Sequence, residues 1–336
     1  MVAIASGSTD TMIALVQEGG GSADALHLRR IERPVVADDR VLVKVRAASV
    51  NAADYHMVHG ALIVGAIARL LRQPRAKNPV RGVDVAGVVE AVGKDVTSLR
   101  PGDEVFGAGT RTWAEYATGT ERSLVTKPAR LSFVEAGATA VAAVTALQGL
   151  RDHAQVRPGQ RVLIYGAGGG VGTFAVQIAK ALGAYVTAVT GTRNMDLVRP
   201  LGADELVDYT KEDVAKRDAR YDAILDVAAT RPLRDLRRML VPGGALVCAG
   251  AAKRGGWLGI VTRLAAMTFR SRVLGQRVVF FIASINRDDL EYLEELIDAG
   301  RVRPAIDRTF PFEDAREAVR YAMSGQGRAK VVIVMN

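Results

Sequence analysis

Short apolar runs separated by turn residues dominate the first part of the chain, from residue 12 to about residue 131. Residues 41–47 alternate in part between apolar and polar side chains, and residues 83–92 form a valine-rich run. Pro101 and Gly102 occupy the two central positions typical of a type II turn. Together these features predict an open, mostly antiparallel β-domain.

The periodicity changes after residue 131. Ser132 followed by Glu135 forms a capping box and predicts a long helix that runs to about residue 150. Beyond it, apolar strands alternate with helices, which predicts an α/β fold with a doubly wound parallel sheet. The predicted strands are 161–165, 185–189, 205–207, 223–226, 245–248 and 278–282, and the helices between them include 173–182, 194–201 and 232–240.

The tail contains two further predicted helices, at 288–298 and 313–324, and a strand at 330–334. Six strands already complete a dinucleotide-binding sheet, so these elements have no place left in it. We therefore expect the tail to return to the first domain.

A glycine-rich turn, Gly-Ala-Gly-Gly-Gly-Val-Gly, occupies residues 166–172 between a predicted strand and a predicted helix. In that order the three parts form a phosphate cradle, because backbone N–H groups and the positive end of the helix dipole face the pyrophosphate. A tight turn without a ligand is the alternative, but the flanking elements favour a nicotinamide dinucleotide. The cofactor contacts predicted here are Gly168, Gly169, Gly170, Val171 and Gly172.

The end of the second predicted strand of this sheet bears on which dinucleotide is bound. Residues 188–194 contain no carboxylate, whereas an acidic residue at this point would select NAD by binding the ribose hydroxyls. Arg193 is suited to a 2′-phosphate, so the loop favours NADPH over NADH. Thr192 and Asn194 complete the predicted cofactor loop, and each is also a good N-cap for the helix that follows.

Composition narrows the class of protein. The chain has 336 residues, a net charge of +9 and one cysteine, Cys248, which lies in an apolar run and is expected to be a buried strand residue. The basic excess suits an anionic cofactor, and the missing zinc-finger, basic-zipper and aromatic RNP patterns argue against nucleic-acid binding. With neither a signal-peptide pattern nor a stretch long enough to span a bilayer, we expect a cytoplasmic protein.

A metal site is not predicted. A single cysteine excludes a closed structural zinc site, which usually needs four cysteine ligands. His56 and His59 lie on one face of a predicted helix, but the sequence offers them no third ligand.

Further motifs extend along nearly the whole chain. Besides the glycine-rich turn, they are Asn51-Ala52-Ala53-Asp54-Tyr55 with Gly60, and residues 82–87, 100–107, 145–148, 201–204 and 327–334. On these motifs the chain resembles the medium-chain dehydrogenase/reductase superfamily, in its zinc-free quinone oxidoreductase-like branch, which includes NADPH:quinone reductase and zeta-crystallin-like proteins. Zinc-dependent relatives have Gly-His-Glu where this chain has Gly82-Val83-Asp84, which removes a zinc ligand.

The resemblance implies a domain organisation. A GroES-like domain would be formed by residues 1–135 and by the returning tail, residues 285–336, around a Rossmann domain at residues 136–284. The active site would lie in the cleft between the domains. Homodimers are usual in the family, so a homodimer is expected.

The resemblance also implies roles for individual residues. Asn51 and Tyr55 would line the cleft near the nicotinamide and are the predicted catalytic residues, with Tyr55 bonding the substrate oxygen and Asn51 also contacting the cofactor. An ordinary tyrosine packed at a domain edge is the alternative for Tyr55. The remaining predicted cofactor contacts are Thr145 before the glycine-rich turn, Tyr209 near the adenosine phosphate, Phe280 and Phe281 at the sixth strand end, and Lys330 from the tail.

Two of these assignments have plain structural alternatives. In these alternatives, the strand ending at Phe280 and Phe281 is apolar only because it packs in the core, and Lys330 is an exposed, unpaired lysine.

Two apolar segments with interspersed basic residues, 61–72 and 257–272, are interpreted as a lid or pocket wall over a bulky apolar acceptor. Plain packing and membrane-surface contact are the alternatives.

The function expected from the sequence is zinc-independent, NADPH-dependent reduction of a small apolar electrophile, either a quinone or an α,β-unsaturated carbonyl compound. The alternative is a redox sensor or regulatory protein that binds NADPH with little turnover.

Overall fold

The structure is a computed structural model that describes residues 10–19, 22–58, 79–249 and 275–335. The apolar segments 61–72 and 257–272 and the side chains of Tyr55, His56 and His59 lie outside the described residues. Elements are numbered below as they occur within these ranges.

The first sheet draws its seven strands from two distant parts of the chain. Its order is β14-β15-β3-β4-β5-β7, with β6 paired to β3, and all its pairs are antiparallel except β14 with β15. A two-stranded ribbon of β1 and β2 completes this part of the fold. The strands are β1 (Thr11–Gln17), β2 (Leu26–Glu32), β3 (Val41–Val50), β4 (Asp84–Val92), β5 (Glu104–Ala108), β6 (Tyr116–Gly119), β7 (Leu124–Thr126), β14 (Ile306–Pro311) and β15 (Lys330–Val334).

The predicted mostly antiparallel sheet is confirmed. Gly102 has a φ of +95°, the left-handed backbone that the predicted type II turn requires. Strand β15 pairs with β3 through residues 331–334 and 47–50, so the tail supplies a strand to the sheet that begins near the start of the described chain.

The second sheet is parallel throughout, with the order β10-β9-β8-β11-β12-β13. This is the doubly wound order in which the chain reverses direction across the sheet after its first three strands. The prediction of such a sheet is confirmed. Its strands are β8 (Arg161–Tyr165), β9 (Tyr185–Thr190), β10 (Glu205–Asp208), β11 (Tyr221–Asp226), β12 (Leu240–Cys248) and β13 (Arg277–Phe280).

The helices differ from prediction at two points. The helix expected over 194–201 is α-helical only at Met195–Val198, between two short 3-10 segments. The single helix expected over 132–150 is interrupted at Gly137, where a Cβ atom would lie 2.8 Å from the carbonyl oxygen of Ala47, so the chain turns tightly against β3. The capping box of Ser132 and Glu135 is confirmed. The helices are α1 (Ala52–Val58), α2 (Phe133–Ala136), α3 (Ala140–Leu147), which continues as a π-helical turn (Gln148–Ala154), α4 (Gly170–Ala181), α5 (Met195–Val198), α6 (Leu233–Arg238), α7 (Arg287–Asp298) and α8 (Ala315–Met323).

The largest apolar core packs α3, α4 and α7 against the parallel sheet and includes Phe174, which is fully buried. A second core fills the first sheet around Trp113, whose indole N–H donates to the carbonyl of Ser49. Cys248 is buried in β12, as expected. Within the described ranges, no helix combines the length and the apolar character needed to cross a bilayer.

Phe174→Ala should lower the free energy of unfolding by about 3–5 kcal/mol, because the lost ring leaves a cavity between α4 and the sheet. Val35→Ala is the matched control, since Val35 is 91% exposed and its removal should change stability by less than about 0.5 kcal/mol. Urea denaturation followed by circular dichroism measures both. Equal losses in the two variants would contradict the described core.

Candidate active site

The glycine-rich turn leads directly from β8 into α4. Gly166 and Ala167 donate their backbone N–H groups to the carbonyl of Val189 on β9, which fixes the turn to the end of the sheet. Gly169 is the N-cap of α4 and has extended backbone, and helical structure begins at Gly170. The amino end of a twelve-residue helix therefore opens at the carboxyl edge of the parallel strands, where such sheets bind ligands.

Close contacts, with backbone at Gly172 and with a side chain at Gly168, explain two of the glycines. A Cβ atom on Gly172 would lie 2.2 Å from the carbonyl oxygen of Gly166, so only glycine lets α4 approach the turn this closely. At Gly168 a Cβ would lie 2.4 Å from Nδ2 of Asn194. Gly169 is not required by close packing, because a Cβ atom there would lie 3.6 Å from its nearest neighbour, the carbonyl oxygen of Gly166. Val171 packs against the main core.

The predicted cofactor loop after β9 stands beside the glycine-rich turn. Neither Thr192 nor Asn194 caps a helix with its side chain, so the capping alternative is not observed. Instead, the Oδ1 atom of Asn194 is buried without a hydrogen-bond partner in the described structure. Arg193 donates from Nη2 to the carbonyl of Gly325 in the tail, 2.7 Å away. The ring of Tyr209 lies against Gly191, and the side chain is 59% exposed.

Asp208 is a residue of this loop that the sequence reasoning missed. It ends β10 and lies opposite Thr190 of β9, so the neighbouring strand brings a carboxylate to the loop. Its Oδ2 accepts from the Thr192 hydroxyl at 2.5 Å, and its Oδ1 accepts from the backbone N–H and hydroxyl of Thr210. The Thr192 hydrogen bond holds the pKa of Asp208 below its usual range. The sequence signal that could have identified Asp208 is its position at the end of β10, because β10 pairs in parallel with β9, the strand that leads into the loop.

Three arginines surround an open pocket of about 460 Å³ next to this loop, together with Tyr321 and Gln326. Arg328 pairs with Asp307 and donates from Nη1 to the carbonyl of Arg193, whereas Arg308 lies over the Tyr321 ring at 4.6 Å. In the part of the chain that the structure describes, neither Arg193 nor Arg308 forms an ion pair with a carboxylate. The pocket is therefore a positively charged surface suited to an anionic group.

A buried polar cluster of Asn51, Asp84 and Lys330 joins the first sheet to the glycine-rich turn. Lys330 at the start of β15 is 2% exposed, and its Nζ donates to Asn51 Oδ1 at 2.5 Å and to Asp84 Oδ2 at 3.0 Å. The alternative of an exposed, unpaired lysine is therefore wrong. Asn51 Nδ2 also donates to Asp84 Oδ2, at 3.0 Å. A Cβ atom on Gly170 would lie 2.9 Å from Lys330 Cδ, so the lysine stem lies against the turn.

Asp54 lies beside this cluster, fully buried in α1. Its Oδ2 accepts from the Asn51 backbone N–H at 2.8 Å, and its Oδ1 has no hydrogen-bond partner among the described residues. Burial raises the pKa of Asp54 to about 7, and the nearby Asp84 carboxylate adds to the increase. A carboxyl group that titrates near neutral pH thus lies next to Asn51.

The remaining predicted site residues are spread around this region. The Thr145 hydroxyl donates within α3 to the carbonyl of Val141, at 2.6 Å. Phe281 contacts His153 in a tilted arrangement with ring centroids 4.3 Å apart and packs against the main core, and Phe280 packs against the core on the other face of the sheet. Both rings are partly buried, and their cofactor roles stay predictions. Tyr55 belongs to α1, but its side chain lies outside the description.

Potential metal ligands do not come together in the described ranges, where no group of three or more His, Cys, Asp or Glu side chains has a suitable arrangement. Asp84 bonds four donors instead: the Ser49 hydroxyl, the Asn51 amide, the Val141 backbone N–H and the Lys330 ammonium.

Gly172→Ala should lower the free energy of unfolding by about 1–3 kcal/mol, because its new methyl group would clash with the Gly166 carbonyl. Gly169→Ala is the matched control at the same turn, where the added methyl group has space and the cost should stay below about 1 kcal/mol. Urea denaturation gives both values. A Gly172→Ala variant as stable as Gly169→Ala would refute the close approach of α4 to the turn.

Asp54→Asn should remove a pH dependence of stability. The folded pKa of about 7 lies above the ordinary value of 3.8, so the folded chain binds more protons between these values and wild-type stability falls as pH rises through that window. Relative to Asp54→Asn, the wild-type protein should lose about 2–3 kcal/mol of unfolding free energy between pH 5 and pH 8.

Urea denaturation at several pH values measures this difference. Asp218→Asn is the control, because the Asp218 side chain is fully exposed and its loss should leave the wild-type pH profile intact. Parallel profiles for wild type and Asp54→Asn would show that Asp54 is ionised throughout.

Comparison with known proteins extends these observations. The models of the alcohol dehydrogenase GroES-like domain and of the zinc-binding dehydrogenase family match residues 37–130 and 201–333. The chain is 32% identical to the chloroplastic quinone-oxidoreductase QR1 of Triphysaria versicolor, over 96% of this chain and 98% of the relative. It is 31% identical to the chloroplastic NADPH-dependent alkenal/one oxidoreductase of Arabidopsis thaliana, over 96% of this chain and 79% of the relative.

The solved structures agree. The quinone oxidoreductase from Coxiella burnetii matches this fold with a TM-score of 0.84 at 28% identity, covering 97% of this chain and 100% of that one. With matched relatives over nearly its whole length and the two sheets described above, the chain belongs to the medium-chain dehydrogenase/reductase superfamily, among its quinone oxidoreductase-like members.

Proposed function

We propose that this protein is a zinc-independent, NADPH-dependent oxidoreductase that reduces a quinone or an α,β-unsaturated carbonyl compound. The observation that carries the proposal is the contact between the glycine-rich turn and the Asn51 cluster. Lys330 touches both, so a phosphate cradle and polar side chains of the first sheet stand side by side. Relatives named for quinone and for alkenal/one reduction support the same chemistry.

The residues present fit a dinucleotide. The turn from Gly168 to Gly172 and the amino end of α4 would hold the pyrophosphate, and the unpartnered Oδ1 of Asn194 is suited to a ribose hydroxyl. Arg193, with Arg308 and Arg328 behind it, offers donors to a 2′-phosphate. Both oxygens of Asp208 are occupied by threonine side chains, so this carboxylate is engaged within the protein instead of selecting NADH.

When bound, the nicotinamide ring supplies a hydride. The chain's own residues orient the acceptor and stabilise the negative charge that develops on its oxygen, which is the role we assign to Asn51 and Tyr55. Thr145, Tyr209, Phe280, Phe281 and Lys330 are proposed to complete the cofactor site.

Independence from zinc is supported by the chemistry of the polar cluster. Val83 offers no ligand atom, and the carboxylate of Asp84 is already paired with the Lys330 ammonium. A second cation at this place would be repelled by the positive charge of the Lys330 ammonium.

The same proposal includes three further expectations. They are the division of the chain into residues 1–135, 136–284 and 285–336, a homodimer, and a cytoplasmic location.

Steady-state oxidation of NADPH and NADH by the purified, metal-stripped protein tests this function, with an ortho-quinone, a para-quinone and a short alkenal as acceptors. Turnover with NADPH is expected without added zinc, and the best acceptor identifies the reaction. Tight NADPH binding without turnover on any acceptor would instead indicate a redox sensor or regulatory protein. Turnover only after zinc is restored would contradict the metal-free mechanism.

Arg193→Gln should raise the KM for NADPH about 10-fold or more and leave the KM for NADH nearly unchanged, because only NADPH carries the 2′-phosphate that the guanidinium would bind. Arg199→Gln is a matched control, an exposed arginine on the same segment. An equal change for both cofactors in Arg193→Gln would remove Arg193 from phosphate recognition.

A further inference from the structure

The side-chain amide of Asn51 is held at both of its ends. Its Oδ1 accepts from the Lys330 ammonium and its Nδ2 donates to the Asp84 carboxylate. An ammonium can only donate and a carboxylate can only accept. A flipped amide would place N–H groups against the ammonium and oxygen against the carboxylate, so the two charges allow one orientation.

The partners of Asn51 are themselves fixed. Asp84 is fully buried and also accepts from the Ser49 hydroxyl and from the backbone N–H of Val141 at 2.7 Å. Lys330 is buried between Asp84 and the glycine-rich turn. Neither charge has room to turn away, because each is enclosed by groups that it already bonds.

One hydrogen of Asn51 remains available. The Nδ2 atom carries two hydrogens, and Asp84 accepts one of them. The other has no protein acceptor in the described part of the chain, and Asn51 is half-buried whereas Asp84 and Lys330 are enclosed. The group that the cluster leaves free to bond a ligand is therefore an N–H of Asn51 and not its carbonyl oxygen.

We propose that Lys330 and Asp84 are positioning residues that hold Asn51 as an obligate hydrogen-bond donor to the acceptor's oxygen, where negative charge develops on reduction. This inference rests on the proposed function and narrows its substrate class. The substrate must present a quinone or carbonyl oxygen to Asn51, and a compound that presents only a donor there is rejected.

The same contacts set the donor in a fixed place relative to the phosphate cradle. The backbone N–H of Ala329 donates to the carbonyl of Gly168 at 2.9 Å, and Gly169 and Ala329 form a parallel bridge. Because Lys330 follows directly, the segment that anchors the glycine-rich turn also orients Asn51. A shift of residues 329–330 would therefore move the glycine-rich turn and the Asn51 amide together.

A double-mutant cycle on kcat tests the positioning role. Asn51→Ala and Lys330→Met should each lower kcat about 10- to 100-fold, measured at saturating NADPH because Lys330 also lies against the glycine-rich turn. Since Lys330 acts through Asn51, the double variant should be no slower than the worse single variant. Lys330→Arg should recover part of the loss, and multiplicative losses in the double variant would overturn the inference.

Lys127→Met is the matched control for loss of a buried lysine. The Lys127 side chain is 6% exposed and pairs with Glu104, and it has no contact with Asn51. The Lys127→Met variant should lose stability and keep its kcat.

If Lys330→Met does not fold, Asn51→Asp replaces it, because this variant keeps a partner for Lys330 while turning the donor into an acceptor. Wild-type kcat in Asn51→Asp would refute the donor role.

A readout independent of turnover is hydrogen exchange of the Asn51 side-chain amide by NMR, with the signal assigned by its loss in Asn51→Ala. Exchange of the hydrogen that Asp84 accepts should be slow in wild type and at least 10-fold faster in Asp84→Ala, which removes the acceptor oxygen. Fast exchange in an active wild-type protein would overturn the positioning role alone. An inactive wild type would overturn the proposed function and the donor role with it, even if exchange were slow.

Discussion

The buried ion pair between Lys330 and Asp84 is the interaction on which the arrangement of the site depends. Burial of two charges is costly, and it is offset here because Ser49 and Val141 donate to the carboxylate and Asn51 accepts from the ammonium. Removal of one partner from such a pair typically costs about 3–5 kcal/mol, since the other charge remains buried. The pair joins β4, β15 and the residue before α1, and its lysine lies against the glycine-rich turn. Together with the bridge between Ala329 and the glycine-rich turn, the pair therefore fixes the relative position of the two sheets at the site.

Most of the fold was predictable because its determinants are local. The strand, glycine-rich turn and helix around residues 161–181 are specified by neighbouring residues, and the parallel sheet follows from the alternation of elements. The helix break at Gly137 was not predictable, since it depends on Ala47 of β3, which is ninety residues earlier in the sequence. Residue-by-residue periodicity carries no information about such an approach.

In the candidate site too, residues that depend on local sequence were predictable and residues that depend on distant partners were not. Glycines of the turn and Arg193 of the loop were identified from sequence, because a backbone requirement or a missing carboxylate is visible there. The burial of Lys330 and the role of Asp208 were not, because each depends on a partner brought in by strand pairing. A lysine is usually exposed, and only the Asp84 carboxylate makes its burial possible. The side chains that complete the site come from segments that are adjacent only after folding.

The pairing of β3 with β15 also bears on how the protein is made. Residues 47–50 lie nearly three hundred positions before their partners at 331–334, so this part of the edge of β3 stays open while the whole parallel sheet is synthesised. At ordinary rates of translation that interval lasts roughly 15–60 s. An open strand edge is a site of aggregation, so the first sheet carries this hazard during synthesis until its last strand emerges.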